Sequence, residues 1–438
     1  MSDSNSLPGK EEDRTISFSS RSSLGLRAWL VLVLFLVIIF PIPPQLFGFL
    51  GEGFAFLSCF CVLGMFLIFT KAKIYLPSLY ICGLLFLLLV GSLLRDSGNS
   101  IPKDFLELLR PLFWFVIFSL FYGVFGRNKS DQSLRLMMNF ILIVAVWGIT
   151  EALLPLPSSY SYIYRLPGSV YEGKALASFI APYAYAAVIG IGAIFFFAKS
   201  KTQNNFKYSS FSIICVIAIF FSQSKSAIFG ILFVIALMQM SYNKTSGILL
   251  VLPFIASASA LAFFSGSFNY VTEFVVSVYN AYSAGGISSL TAASPSIGNR
   301  VQQFQEMFLL LDPIFLFGRG IGKDYLYLES SPALILFRYG VFGFMAILLV
   351  FFATLYQKKR MRTHLQNPDW RSLSDSIFYL FIYLGIVSLS SNIIDQFKVA
   401  FFYIGILGLW FAKANAREGT VSSNREQKIL AQEGTVGA

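Results

Sequence analysis

Histidine is almost absent from this chain: one residue, His364, in 438. It lies in the basic stretch KKRMRTHLQNPDW between two apolar runs, which removes histidine as a catalyst or metal ligand from every other loop. Charge is scarce as well, at 13%, where soluble domains carry about a quarter charged residues; an ordinary soluble domain is excluded. The four cysteines, Cys59, Cys61, Cys82 and Cys215, all fall inside apolar runs. There they behave as small buried hydrophobes, with neither a disulfide framework nor metal-ligand spacing. A small-residue cleavage site is missing after the first apolar run, so that run is expected to be a retained span rather than a cleaved signal peptide.

What is present is apolar surface, with 56% of residues hydrophobic. A helical span takes about 20 mostly apolar residues. Runs of that kind predict about twelve spans, near 28–47, 53–70, 74–93, 111–126, 136–153, 177–198, 209–222, 226–241, 246–264, 332–355, 376–392 and 399–412. The runs are continuously apolar rather than alternating, and each must satisfy its own backbone in lipid, which favours helices over a barrel. The expected fold class is therefore all-α: a polytopic integral membrane protein of about twelve transmembrane helices with a large extracytoplasmic loop containing interfacial helices. Residues 1–27 read as a disordered polar tail, 28–412 as the membrane domain and 413–438 as a second tail.

Lysine and arginine set the orientation. With twelve spans, one side collects Lys71, Lys73, Arg127, Lys129, Arg135, Lys199, Lys201, Lys207, Lys244, the block Lys358 to Arg362, and both tails. Both termini are expected to be cytoplasmic. The net charge of +11 is largely this topology signal, and the partner it implies is the lipid bilayer, not nucleic acid.

The opposite loops carry the candidate chemistry. In LRDSGNSIPKDFLELLRP, Phe105, Leu106, Leu108 and Leu109 suggest a short interfacial helix, with Arg95, Lys103 and Arg110 at lipid headgroups. The loop at 154–176 sets Tyr160, Tyr162 and Tyr164 before Arg165, then Tyr171, Glu172 and Lys174. Two readings stay open: tyrosines stacking on sugar rings with polar groups taking the hydroxyls, or an aromatic belt at the interface. Between Phe211 and Met240 the apolar run is interrupted by SQSKS. A charge near the bilayer centre is expensive, so a hairpin is expected whose tip, Ser222 to Ser226, presents Lys225; a single tilted helix with a snorkelling lysine is the alternative.

The largest loop, 265–331, is expected to begin with a surface helix over Tyr270 to Tyr282 followed by a Gly/Ser hinge. From Arg300, the residues Val301, Phe304, Phe308 and Leu311 recur at helical spacing, with Arg300, Gln303 and Glu306 off that stripe. The pattern predicts an amphipathic helix in the interface, ended by Asp312-Pro313. FGRGIG follows, with Gly318, Gly320 and Gly322. It lacks the preceding strand of a phosphate-cradling loop and reads as a flexible loop.

Taken in order, Arg165 with Gly168 ahead of a span, Ser224-Lys225 at the tip, and Arg300, Asp312-Pro313, FGRGIG, Glu329 and RYGVFG resemble the O-antigen polymerase and O-antigen ligase superfamily. The resemblance covers the span layout from about 140 to 360 and is densest from Arg300 to Gly343. It implies a transferase in the bacterial cytoplasmic membrane, acting on its extracytoplasmic face on undecaprenyl-pyrophosphate-linked oligosaccharide. No cofactor or metal is implied, and a chain-length regulator protein is a further candidate partner. Ligases of the superfamily typically carry a histidine at the place that Glu329 occupies when counted back from Gly340, so the polymerase reading is favoured. A ligase-type transferase and a flippase of lipid-linked oligosaccharide are the alternatives; a flippase is expected to show related halves, and the sequence has no convincing internal repeat.

Transfer from a lipid pyrophosphate needs cations on the diphosphate and an acceptor for the incoming hydroxyl's proton. Arginine suits the first task because its planar fork binds phosphate oxygens in pairs. The resemblance thus implies Glu329, Arg300 and Arg165 as catalytic residues, with Arg319, Lys323, Arg338, Lys225, Tyr171, Glu172, Asp324 and Tyr325 binding sugar and pyrophosphate. For Arg338 a plain ion pair with a carboxylate is the competing reading.

Overall fold

The structure is a computed structural model that describes residues 30–34, 49–70, 74–95, 102–154, 174–177, 179, 181–242, 283, 295–311, 314–320, 328–361, 365, 367–393 and 396–415. Among these every regular element is helical. Residues 30–34 are helical, and the longer helices in chain order are α1 (Phe49–Phe69), α2 (Leu76–Arg95), α3 (Pro102–Leu120), α4 (Gly126–Leu153), α5 (Pro182–Gln203), α6 (Phe206–Ser222), α7 (Lys225–Tyr242), α8 (Pro295–Leu311), α9 (Ser331–Met361), α10 (Pro368–Ser390) and α11 (Phe397–Asn415). A π-helical turn, Phe121–Phe125, joins α3 to α4. Among the described residues eight helices are long and apolar enough to cross a membrane, and the apolar α6 is shorter. The chain is an all-helical polytopic membrane protein. Of the twelve expected spans, 28–47 apart from residues 30–34 and all of 246–264 lie outside the described residues.

The centre of the bundle is α5, whose sequence PYAYAAVIGIGAIFFFAKSKTQ is buried almost throughout. Its small residues let neighbours approach closely, as helices in lipid require. At Gly190 a Cβ would lie 2.0 Å from the ring of Tyr383 in α10, and at Gly192 it would lie 2.7 Å from Ile141 in α4. Tyr383 threads this slot and donates its hydroxyl to Ala186 O at 2.7 Å. A second packed group is aromatic, with Phe118 of α3 and Phe121 of the π-helical turn meeting Phe411 and Phe401 of α11.

The interrupted run at 211–240 is two helices, α6 and α7. Gln223 takes the left-handed conformation between them (φ 57), as an αL residue commonly does at a helix end. The hairpin expectation holds. The short interfacial helix expected near 105–109 is instead the start of α3, which runs unbroken from Pro102 through Pro111 into the span.

Polar groups are gathered at the two ends of the bundle. At one, here the network end, Asp369 of α10 pairs with Arg135 of α4 at 2.7 Å and with Lys199 of α5 at 2.5 Å. Asp131 of α4 accepts from Trp370 Nε1, from Asn367 Nδ2 and from Lys413 of α11. Asn367 also caps α10, its side chain accepting from Asp369 N at 2.9 Å. Four helices are tied by two carboxylates.

Candidate functional site

The opposite end is built around a backbone clasp. Helix α9 breaks at Gly340, whose φ of 61° and ψ of −164° belong to a region open essentially to glycine alone. The break removes the hydrogen bonds that Val341 and Phe342 would make one turn back, and it frees the carbonyl of Phe337. In a membrane protein such groups must be satisfied within the protein. The segment Phe315 to Gly320 supplies the partners: Val341 N donates to Phe315 O at 3.1 Å, Phe342 N to Leu316 O at 3.2 Å, and Arg319 N to Phe337 O at 2.6 Å.

Glycine is required on both sides. A Cβ on Gly318 (φ 78) would lie 2.4 Å from Gly340 N, and one on Gly340 would lie 2.4 Å from Gly318 N and from Leu316 O. A Cβ on Gly320 would overlap Ser92 of α2, so the segment is wedged between α2 and α9. The expectation of a flexible FGRGIG loop is corrected over Gly318–Gly320, which is locked in place; Gly322 lies outside the described residues.

The clasp fixes two of the expected cations. Arg319 sends Nη1 to Leu310 O at 3.4 Å, in the last turn of α8, where a cation complements the exposed carbonyls and the helix dipole. Arg338, two residues before the break, is buried and pairs with Glu107 of α3 at 3.0 Å. Glu107 is buried too, and it also holds Arg110 through Nε at 2.5 Å and Nη2 at 2.9 Å. The carboxylate expected for Arg338 is therefore Glu107. Arg110, expected at lipid headgroups, is turned inward onto the same carboxylate.

Glu329 lies just ahead of α9, its backbone N–H donating to Gln303 Oε1 of α8 at 3.2 Å. Ser331 Oγ bridges to Ser391 O and Ile393 N, both at 3.0 Å, fastening this corner to the chain after α10. Helix α8 packs on the start of α9 through Met307 and Leu311 against Leu328, Ala333, Leu334 and Phe337. Its apolar face is thus Phe304, Met307 and Leu311, not the expected stripe through Phe308, which is exposed. Protein contact, not lipid alone, decides the rotation of this helix.

A second corner of the same end lies before α5. Glu151, at the end of α4, accepts from Leu176 N at 3.1 Å and Ala177 N at 2.8 Å. Ala177 is held at φ 46, a left-handed conformation uncommon for alanine, and Ala175 N donates to Phe221 O at the hairpin tip. Partial burial draws the pKa of Lys174 down from the usual lysine range. Lys225 opens α7 at this tip. Lys398, buried in the first turn of α11, lies 5.2 Å from the centre of the Phe179 ring.

The described structure therefore brings the backbones of Arg319 and Arg338 together at the clasp, with Glu329 just ahead of α9 against Gln303 of α8 and Lys225 at the start of α7. The backbone of Arg300 is in α8. Arg165, Tyr171, Glu172, Lys323, Asp324 and Tyr325 lie outside the described residues. Sequence reasoning passed over Glu107, Glu151 and Lys398, although an ionisable group at the edge of an apolar run was the available signal. Among the described residues no cluster of His, Cys, Asp or Glu could hold a metal ion. No family model matches the chain, and no curated protein matches it. What its sequence and fold establish is an all-helical polytopic membrane protein with a glycine-locked, arginine-bearing corner at one end of the bundle.

Proposed function

We propose that the chain is a glycosyltransferase that polymerises lipid-linked repeat units. It moves the growing glycan from undecaprenyl pyrophosphate to the non-reducing end of a new lipid-linked unit, with the clasp end on the extracytoplasmic face of the cytoplasmic membrane. The observation that carries this reading is the clasp itself: one backbone hydrogen bond, from Arg319 N to Phe337 O, places the two arginine-bearing motifs side by side, with Glu329 at the head of the same helix. In the transfer, the bond from the sugar's anomeric carbon to the pyrophosphate oxygen breaks, and a bond from that carbon to the acceptor oxygen forms. Guanidinium groups stabilise the charge on the departing diphosphate. Glu329 takes the proton of the acceptor hydroxyl.

The test is a gel of surface polysaccharide from cells lacking the gene, restored with wild type, Glu329→Ala or Arg300→Ala. Deletion is expected to leave single repeat units on the acceptor, wild type to restore the ladder, and both variants to insert in the membrane without restoring it. Full-length chains stranded on the carrier lipid would make the protein a ligase, and units accumulating on the cytoplasmic face would make it a flippase.

A further inference from the structure

Glu107 and Arg110 belong to none of the motifs that carry the resemblance, yet they meet Arg338 at the clasp. One oxygen, Glu107 Oε2, is shared by Arg110 Nε at 2.5 Å and Arg338 Nη1 at 3.0 Å, while Arg110 Nη2 reaches Oε1 at 2.9 Å. We propose that Glu107 is a displaceable counter-ion, holding Arg110 and Arg338 together until a phosphate-bearing anion takes its place, so that Arg110 is a second anion-binding arginine. Only the identity of the anion, the diphosphate of a lipid carrier, rests on the proposed function.

Three features lead to this. Arg110 faces both carboxylate oxygens, Nη2 hydrogen-bonded to Oε1 and Nε in ion-pair reach of Oε2, and a guanidinium edge so presented also suits phosphate oxygens. The two guanidinium groups come from α3 and α9, so the helices keep them adjacent whether or not Glu107 lies between them. Like charges so placed repel each other in a poorly solvated site and favour any anion that bridges them. Glu107 and Arg110 also directly precede the apolar run that starts at Pro111 within α3, the kind of position where a lipid's phosphate meets its tail. A Cβ on Gly318 would touch the carbonyl of Arg338 at 2.7 Å, so the triad is continuous with the clasp.

The test titrates inorganic pyrophosphate against the full-length protein in nanodiscs of neutral phosphatidylcholine and reads binding from the thermal midpoint. Arg110→Gln should weaken binding by about tenfold or more, and Glu107→Gln should tighten it by about tenfold, the competing carboxylate being gone. A purely structural triad predicts weaker binding in both variants, and that result would overturn the proposal, as would wild-type binding by Arg110→Gln. Should Glu107→Gln fail to fold, Glu107→Asp, which keeps the charge but shortens its reach, should bind more tightly than wild type; weaker binding there would also overturn it. Undecaprenyl pyrophosphate should displace pyrophosphate, whereas discs containing phosphatidylglycerol should not; equal displacement by phosphatidylglycerol would refute the carrier lipid as the source. Neither result depends on the polysaccharide gel, so the polymerase reading and the counter-ion can fail separately.

Discussion

Alanine at Gly340 should disable the clasp, and the cost can be built from its parts. The substitution forces a side chain into a backbone region that costs non-glycine residues about 1–3 kcal/mol. The new Cβ would lie 2.4 Å from Gly318 N and from Leu316 O; both are backbone atoms, so relief means moving a chain segment, typically about 1–3 kcal/mol. If the segment lifts away, the hydrogen bonds of Arg319, Val341 and Phe342 across the clasp go with it, at about 1 kcal/mol each. These routes overlap, and the expected loss is about 3–6 kcal/mol. The internal control is Gly385, also helical, where a Cβ meets nothing within 4 Å; alanine there should stabilise by about 0.5–1 kcal/mol. Thermal unfolding of the purified variants in one detergent gives the comparison. The double variant Gly318→Ala/Gly340→Ala should cost less than the sum of the singles, because both side chains strike the same contact. Equal melting of Gly340→Ala and Gly385→Ala, or full additivity in the double, would refute the clasp.

Three further predictions follow from the ends of the bundle. Asp369→Asn strands the buried Lys199 and should lower stability by about 3–5 kcal/mol, whereas Arg135→Ala removes a partner that is 58% exposed and should cost less than about 1 kcal/mol; chemical denaturation of both variants makes the comparison. Glu151→Ala removes the acceptor of two amides, so hydrogen exchange at Leu176 and Ala177 should quicken by tenfold or more, for charge-assisted bonds of about 1.5–3 kcal/mol, while exchange in α10 stays unchanged. Tyr383→Phe keeps the ring in the Gly190 slot and loses only the hydroxyl bond to Ala186 O, which should lower stability by about 1 kcal/mol in the same denaturation.

The spans were legible because lipid imposes one demand on every residue of a run, and a window of apolar residues reads that demand directly. The hairpin at Ser222 to Ser226 was legible for the same reason: Lys225 cannot sit in the middle of a span without expense. The clasp was not. FGRG and RYG were both singled out, but their glycines serve each other across the break in α9, and a left-handed φ leaves no trace in a sequence beyond the glycine itself. The rotation of α8 was misread since Met307 and Phe308 are equally apolar, and only the shape of α9 decides which turns inward. Arg110 was assigned to lipid because its partner on α9, Arg338, is more than two hundred residues away, bridged by a glutamate that reads as ordinary.

The two ends of the bundle also bear on the competing reading of a flippase. Alternating access requires each end to open in turn around a central site, so in a flippase the network end must come apart in every cycle. A transferase working at the clasp makes no such demand, and the carboxylates Asp131 and Asp369 tying α4, α5, α10 and α11 together then act as a permanent base. The two mechanisms separate when that base is locked. Asp131 and Lys413 lie 3.2 Å apart at their charged atoms and are each about a third exposed, so cysteines at these positions can be joined by a short bismaleimide. Cys61, the exposed cysteine among the four, is first changed to serine. In reconstituted vesicles supplied with lipid-linked repeat units on both leaflets, the locked protein should polymerise at the rate of the unlinked double variant. Loss of polymer growth together with loss of lipid-linked sugar crossing the bilayer would show that the network end opens during function, and the transferase reading would give way to transport.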